Sequence, residues 1–140
     1  MFRIKQTKNL DLVRSLDLAL FGAEEAEGEY ENAAYTWWVA WQDTKAVGFC
    51  GLERATDKKG AYGILLRAAV APEARGQGIQ RRMIKVRDAC ARKQGLRCVL
   101  TYTAGYNITS ANNLIREGYI LYKPHYAWGL KQGLYFWKAL

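Results

Sequence analysis

The chain has 140 residues, one domain's worth of sequence, long enough to bury a core and too short for two independent ones. Half of its residues are hydrophobic, 18 are aromatic (5 Trp, 9 Tyr, 4 Phe) and 24% are charged, which excludes disordered, collagen-like and low-complexity chains. The formal charge is +8, no apolar run approaches the roughly 20 residues of a membrane span, and MFRIKQTKNL lacks the features of a secretory signal, so the cytoplasm is the expected location and no membrane partner is expected.

Leu10, Val13, Leu16 and Leu20 recur three or four apart between Thr7 and Leu20, the spacing of one buried helical stripe. Glu24, Glu25, Glu27, Glu29 and Glu31 follow around Gly28. This stretch reads as a second, short helix or as a loop, and it either attracts a cationic substrate or is simply solvated. Thr36 to Trp41, the turn Gln42 to Lys45, and Ala46 to Leu52 fit a strand, a turn and a strand. After the turn Asp57 to Gly60, Tyr62 to Val70 reads as a strand buried on both faces around Ile64-Leu65-Leu66. The short connections make these three strands an antiparallel meander.

At Pro72 the strand must stop. Ile79, Met83, Val86 and Cys90 step by four, three and four, with Arg81, Arg82, Lys85, Arg87, Arg92 and Lys93 elsewhere on the helix and Gly95 closing it. Cys98 to Tyr102 is the next strand, which completes a βαβ crossover with parallel neighbours. Asn107 caps a further helix to about Glu117, ended by Gly118. Tyr119 to Tyr122 and Leu134 to Trp137 supply two closing strands. The order predicts an α/β (α+β) fold: a single domain over residues 1–140 with a mixed sheet, an antiparallel meander followed by the crossover, covered by helices.

Cys50, Cys90 and Cys98 form no Cys-x-x-Cys or Cys/His cluster and read as small hydrophobes, and His125 stands alone, so no metal site is expected. Residues 1–60 carry a net −2 and residues 61–140 a net +10. The basic half suits a phosphorylated ligand or nucleic acid, or is a solvated face.

The sharpest local feature is Val70-Ala71-Pro72-Glu73-Ala74-Arg75-Gly76-Gln77-Gly78-Ile79-Gln80, a glycine-rich turn from a strand into a basic helix. Unpaired amides and the dipole at a helix start favour an anion, and glycines let it approach the backbone. The Gly-Lys-Ser/Thr of a nucleotide-triphosphate loop and the dinucleotide spacing are both missing.

This segment resembles the signature of the GNAT superfamily of acyl-CoA N-acyltransferases, Gln/Arg-x-x-Gly-x-Gly/Ala after a strand ending near Val-x-Pro: Arg75, Gly78 and Val70-Ala71-Pro72 match, and Gln80 departs from it. A second family segment matches at Asn107, Ser110, Gly118 and Tyr119. The resemblance implies a GNAT fold and transfer of an acetyl group from acetyl-CoA to a primary amine, of a small molecule or a protein, by direct attack in a ternary complex. It implies that the loop Arg75, Gly76, Gln77, Gly78, Ile79 and Gln80 holds the pyrophosphate of coenzyme A, through the amides of Gln77 to Gln80. Gln80 either crowds that pocket or adds a donor. The backbone at Ala68 and Val70 pairs with the pantetheine arm, Val70 donates to the thioester carbonyl, and Asn107 orients the arm or merely caps its helix. Many members protonate the leaving thiolate with a tyrosine seven residues after that Asn, where this chain has Leu114.

The chemistry needs a neutral amine, a polarised carbonyl and a proton for the thiolate. Glu53 is the candidate base, directly or through water, or an exposed strand-end carboxylate. Tyr102, Tyr106, Tyr119 and Tyr122 are the candidates for the acid, Tyr102 and Tyr119 foremost, and His125 is an acid or base if its loop folds over the site. The glutamate stretch would suit a polycationic amine. The C-terminal strand, with Tyr135, Phe136 and Trp137, serves either the core or a partner copy in a homodimer. The alternative to an enzyme is a basic nucleic-acid- or protein-binding module on the same fold.

Overall fold

The structure is a computed structural model and describes residues 1–22 and 29–140. It begins with a strand that the apolar pattern does not predict, β1 (Phe2–Thr7). Two apolar residues, Phe2 and Ile4, are too short a pattern to stand out. Pairing makes the strand, because β1 lies antiparallel to β2 (Tyr35–Gln42) from Phe2↔Gln42 to Thr7↔Trp37. Helix α1 (Leu10–Phe21) starts at the first residue of its apolar stripe. The Asn9 carboxamide oxygen accepts the Leu12 N–H at 3.1 Å, and the Thr7 hydroxyl accepts the Asn9 N–H at 3.0 Å. Of the acidic stretch, Glu24, Glu25 and Glu27 lie outside the described residues, and Glu29 and Glu31 are exposed.

β2, β3 (Lys45–Asp57) and β4 (Gly60–Val70) form the expected meander. β3 runs five residues beyond Leu52, which puts Glu53 in its interior rather than at its end. Of the Ile64-Leu65-Leu66 run only Leu65 is buried, and all three line a cavity described below. A single turn at Pro72–Ala74 leads to α2 (Ile79–Lys93), and β5 (Cys98–Ala104) returns parallel to β4. Asn107 caps α3 (Ile108–Arg116), accepting the Ser110 N–H at 3.1 Å. β6 (Ile120–Tyr122) and β7 (Gly133–Ala139) complete a sheet of order β1-β2-β3-β4-β5-β7-β6, in which only β4 and β5 are parallel neighbours.

One face of the sheet packs Leu52, Leu65, Val99 and Phe136 against Met83 and Ile84 of α2 and Leu114 of α3. The other packs Trp37 and Phe49 against Val13 of α1. The buried side of α2 differs from the predicted stripe. Val86 and Cys90 are half-buried, while Ile79, Met83, Ile84, Arg87, Asp88 and Ala91 face inward. Arg87 is thus not on the solvated side. Of the cysteines, only Cys50 is fully buried. No helix among the described residues is long and apolar enough to cross a membrane.

Candidate active site

β4 and β5 share only two rungs, Gly63↔Val99 and Ile64↔Leu100. Beyond these, β4 continues to Val70 and β5 to Ala104, so the sheet splits. A bulge bends β4 at the same place: Cys50 faces Ala68 and Gly51 faces Leu66, leaving Arg67 as the extra residue. The split opens a cavity of about 830 Å³. Successive side chains of a strand point to opposite faces, so the lining falls into two halves. Leu65, Ile84, Arg87, Thr101 and Leu114 belong to the α2 face, and Phe21, Glu53, Arg67, Tyr102 and Trp128 to the α1 face. The cavity passes through the sheet.

The free edge of β4 is polar. The Ala71 N–H donates to the Val47 carbonyl of β3 at 2.7 Å, and hydrogen-bonding direction alternates along an antiparallel ladder. The backbone groups of Ala68 and Val70 therefore point away from β3, toward the split. Arg75 already uses one of them, its Nε donating to the Val70 carbonyl at 3.1 Å.

Just past that edge lies the glycine-rich turn. Gly76 and Gly78 have φ of +82° and +81°, with open space where a β-carbon would sit, so left-handed backbone rather than crowding calls for glycine there. Gly78 caps α2 without a side-chain hydrogen bond, and the first intrahelical bond is from the Arg82 N–H to the Gly78 carbonyl. This leaves the amides of Ile79, Gln80 and Arg81 at the positive end of the helix dipole. The Ile79 side chain is core. Gln77 is held by its own carboxamide, which donates to the Ala74 carbonyl at 3.1 Å and accepts from Gln42 at 2.7 Å. Gln80 is turned toward α3: it donates to the Ser110 hydroxyl at 3.2 Å and accepts from the Asn113 amide at 2.7 Å. Gln80, Asn107 and Ser110 form that end of the cavity wall.

Of the candidate catalytic residues, the structure brings Glu53 and Tyr102 together in the cavity, on the same face, with Tyr106 at the rim. Tyr102 is 39% exposed, and its ring centroid lies 5.3 Å from that of Trp128 and 5.7 Å from that of Tyr135. Tyr119 is not part of the site. It is 3% exposed and donates to Asp88 at 2.5 Å, and burial, then the Asp88 charge, push its phenol far above the usual range. A phenol so held cannot reach a thioester. Tyr122 accepts the Trp128 indole N–H at 3.2 Å, and His125 is exposed outside the lining.

The segment before β7 forms the outer wall on the α1 face. The Gly129 N–H donates to the Tyr135 hydroxyl at 3.1 Å, which donates to the Leu130 carbonyl at 2.6 Å. Gly129 lies so close to Tyr102 that a β-carbon would collide with the ring.

The sequence pattern misses three charged residues here. Asp17 shares the apolar stripe of α1 and is fully buried, its carboxylate accepting from Arg67 Nε and Nη2, both at 2.8 Å, and from the Tyr30 hydroxyl at 2.7 Å. Arg87 is 2% exposed and donates only to carbonyls: Met83 at 3.0 Å, Gly51 at 3.2 Å and Leu66 at 3.0 Å. Burial raises the neighbouring Cys50 thiol to about 11, with the Arg87 charge pulling the other way. A helical net drawn through Met83 and Ile84 would have placed Arg87 and Asp88 inside. Among the described residues, no three His, Cys, Asp or Glu side chains converge on a common point.

The family model described as an acetyltransferase (GNAT) domain matches residues 33–124. A search of curated proteins finds no match. Among solved structures, the fold is similar to a protein of Klebsiella pneumoniae subsp. pneumoniae described as an acyl-CoA N-acyltransferase (TM-score 0.83, 17% identity, 100% of this chain and 98% of that one). It is also similar to an IAA acetyltransferase of Bacillus cereus (0.81, 16%, 100% of both chains) and to the ribosomal-protein-S18-alanine N-acetyltransferase of Escherichia coli (0.77, 14%, 99% and 94%). At such identities the structures speak for the fold alone. The family match covers well over half of the chain, from β2 through the glycine-rich turn to the end of β6, and on that ground the chain belongs to the GNAT acetyltransferase family.

Proposed function

We infer that this chain transfers the acyl group of an acyl-coenzyme A, acetyl-CoA in the simplest case, to a primary amine. The observation that carries this reading is the continuity of two features: the free, polar edge of β4 at Ala68 and Val70 leads directly to the uncapped start of α2 at Gly78. A diphosphate suits the second and an extended amide-bearing arm the first. Arg75, Gly76, Gln77, Gly78, Ile79 and Gln80 hold the diphosphate, and Asn107 and Ser110 flank the arm. Val70 adjoins the diphosphate end, so its N–H serves the arm, and the thioester lies farther on at the Leu66–Arg67 bulge.

The amine enters on the α1 face, among Phe21, Glu53, Tyr102 and Trp128. Its nitrogen attacks the thioester carbon, forming the C–N bond as the C–S bond breaks. Glu53 takes the amine proton, directly or through water, and Tyr102 gives a proton to the departing thiolate in place of the phenol absent at Leu114. Nothing is left covalently on the protein. Titration calorimetry with acetyl-CoA and with coenzyme A itself at neutral pH and moderate salt tests the reading: saturable one-to-one binding is expected, and folded protein that binds neither these nor any other acyl-CoA overturns it.

A further inference from the structure

We propose that the acyl group handled by this chain ends in a carboxylate, which seats on Arg87. The inference rests on the acyl-CoA reading and names the class of acyl group. Each of the other buried ionic groups already has its counter-ion: Asp17 pairs with Arg67 at 2.8 Å, Asp88 with Lys138 at 2.9 Å, and Glu117 with Arg81 at 2.7 Å and Lys85 at 3.6 Å. Arg87 has none among the described residues. Its Nε and one terminal nitrogen satisfy backbone carbonyls, while the other terminal nitrogen has no protein hydrogen-bond partner and is not fully buried, and Arg87 lines the cavity. A buried cation without a counter-ion is costly, and a carboxylate offers a guanidinium its strongest pairing.

The position fits the acyl end of the arm. Arg87 is eight residues into α2 from Ile79, about 12 Å at helical rise, and it bonds to Leu66, four residues back along β4 from Val70, about 13 Å at strand rise. A thioester arm anchored at the start of α2 and laid along β4 ends beside this guanidinium. Leu65, Ile84 and Leu114 line the same half of the cavity. An acetyl methyl there would leave the charge unanswered. Glu53 does not answer it either, because it belongs to the opposite face and makes no ion pair with Arg87.

Calorimetry with a donor series decides the matter without knowledge of the amine. Succinyl-CoA is expected to bind about tenfold or more tightly than butyryl-CoA, which has the same number of acyl carbons and no charge. Arg87→Met should abolish that ratio, and Arg87→Lys should keep part of it. Should Arg87→Met fail to fold, the wild-type ratios for succinyl-, malonyl-, butyryl- and acetyl-CoA decide alone. Equal binding of charged and uncharged donors overturns this proposal and leaves the acyl-CoA reading standing. Failure of every donor to bind overturns both.

Discussion

Asp17 is the residue on which the α1 side of the site turns. Its carboxylate is the shared acceptor for Arg67 from the β4 bulge and for Tyr30, so one side chain ties α1 to the strand that borders the cavity. A neutral carboxamide in place of the buried carboxylate gives up the charge on which both Arg67 bonds rely. Asp17→Asn should therefore cost about 3 kcal/mol in urea unfolding, and Tyr30→Phe only about 1 kcal/mol, one neutral donor's worth. Equal effects would show that Tyr30, not the ion pair, secures the helix. Periodicity can place such residues on a buried face, but it cannot say what compensates them. Asp17, Arg87 and Asp88 stand where a helical stripe calls for apolar side chains, and what makes their burial tolerable comes from Arg67, Tyr119, Lys138 and the carbonyls of Gly51 and Leu66, all distant in sequence. Tyr119 misleads for the same reason: its place after Gly118 matched a motif, but its partner Asp88 lies on α2, distant in sequence.

Among the elements, the wall formed by residues 123–132 shows how a loop can be made part of the scaffold. The Tyr122 and Tyr135 hydroxyls bond to Trp128, Gly129 and Leu130, and the wall can lie flat on Tyr102 only because residue 129 has no side chain. Gly129→Ala should push the wall and the Tyr102 ring apart, costing about 1–3 kcal/mol in thermal unfolding. It should also raise KM for the amine more than KM for the acyl-CoA, and an unchanged amine KM would remove the wall from the acceptor site. The strand-to-helix turn and the Asn107 cap were legible because glycine and asparagine act there through their own backbone and side-chain geometry. β1 and the far end of β3 were not, because strand pairing with a distant partner, rather than local pattern, sets their length. The extra run of β3 is also what carries Glu53 into the cavity.

For the whole molecule, part of the charge asymmetry read from the sequence is used internally. Arg67 pairs with Asp17 and Arg97 with Asp57, both acids of the first half, while Arg81, Lys85 and Lys138 take up Glu117 and Asp88 of the second half itself. Composition reports the sum and not the pairing. The meander and crossover were readable from connection lengths alone, whereas the split in the sheet was not, since nothing local to β4 or β5 says where their pairing stops.

That split has a mechanical consequence. Two rungs between β4 and β5 are the sheet's only seam between its first four strands and its last three, with α2 spanning them. A slender molecule wedged along the seam supplies the missing rungs and acts as mortar between two blocks. Acetyl-CoA at 100 times its dissociation constant should stabilise the fold by about 2.7 kcal/mol, seen as a raised Tm. The Ala68 and Val70 amides of β4, which face the split, should gain the most protection from exchange, and protection spread evenly over the sheet would mean that the ligand rests somewhere other than the seam.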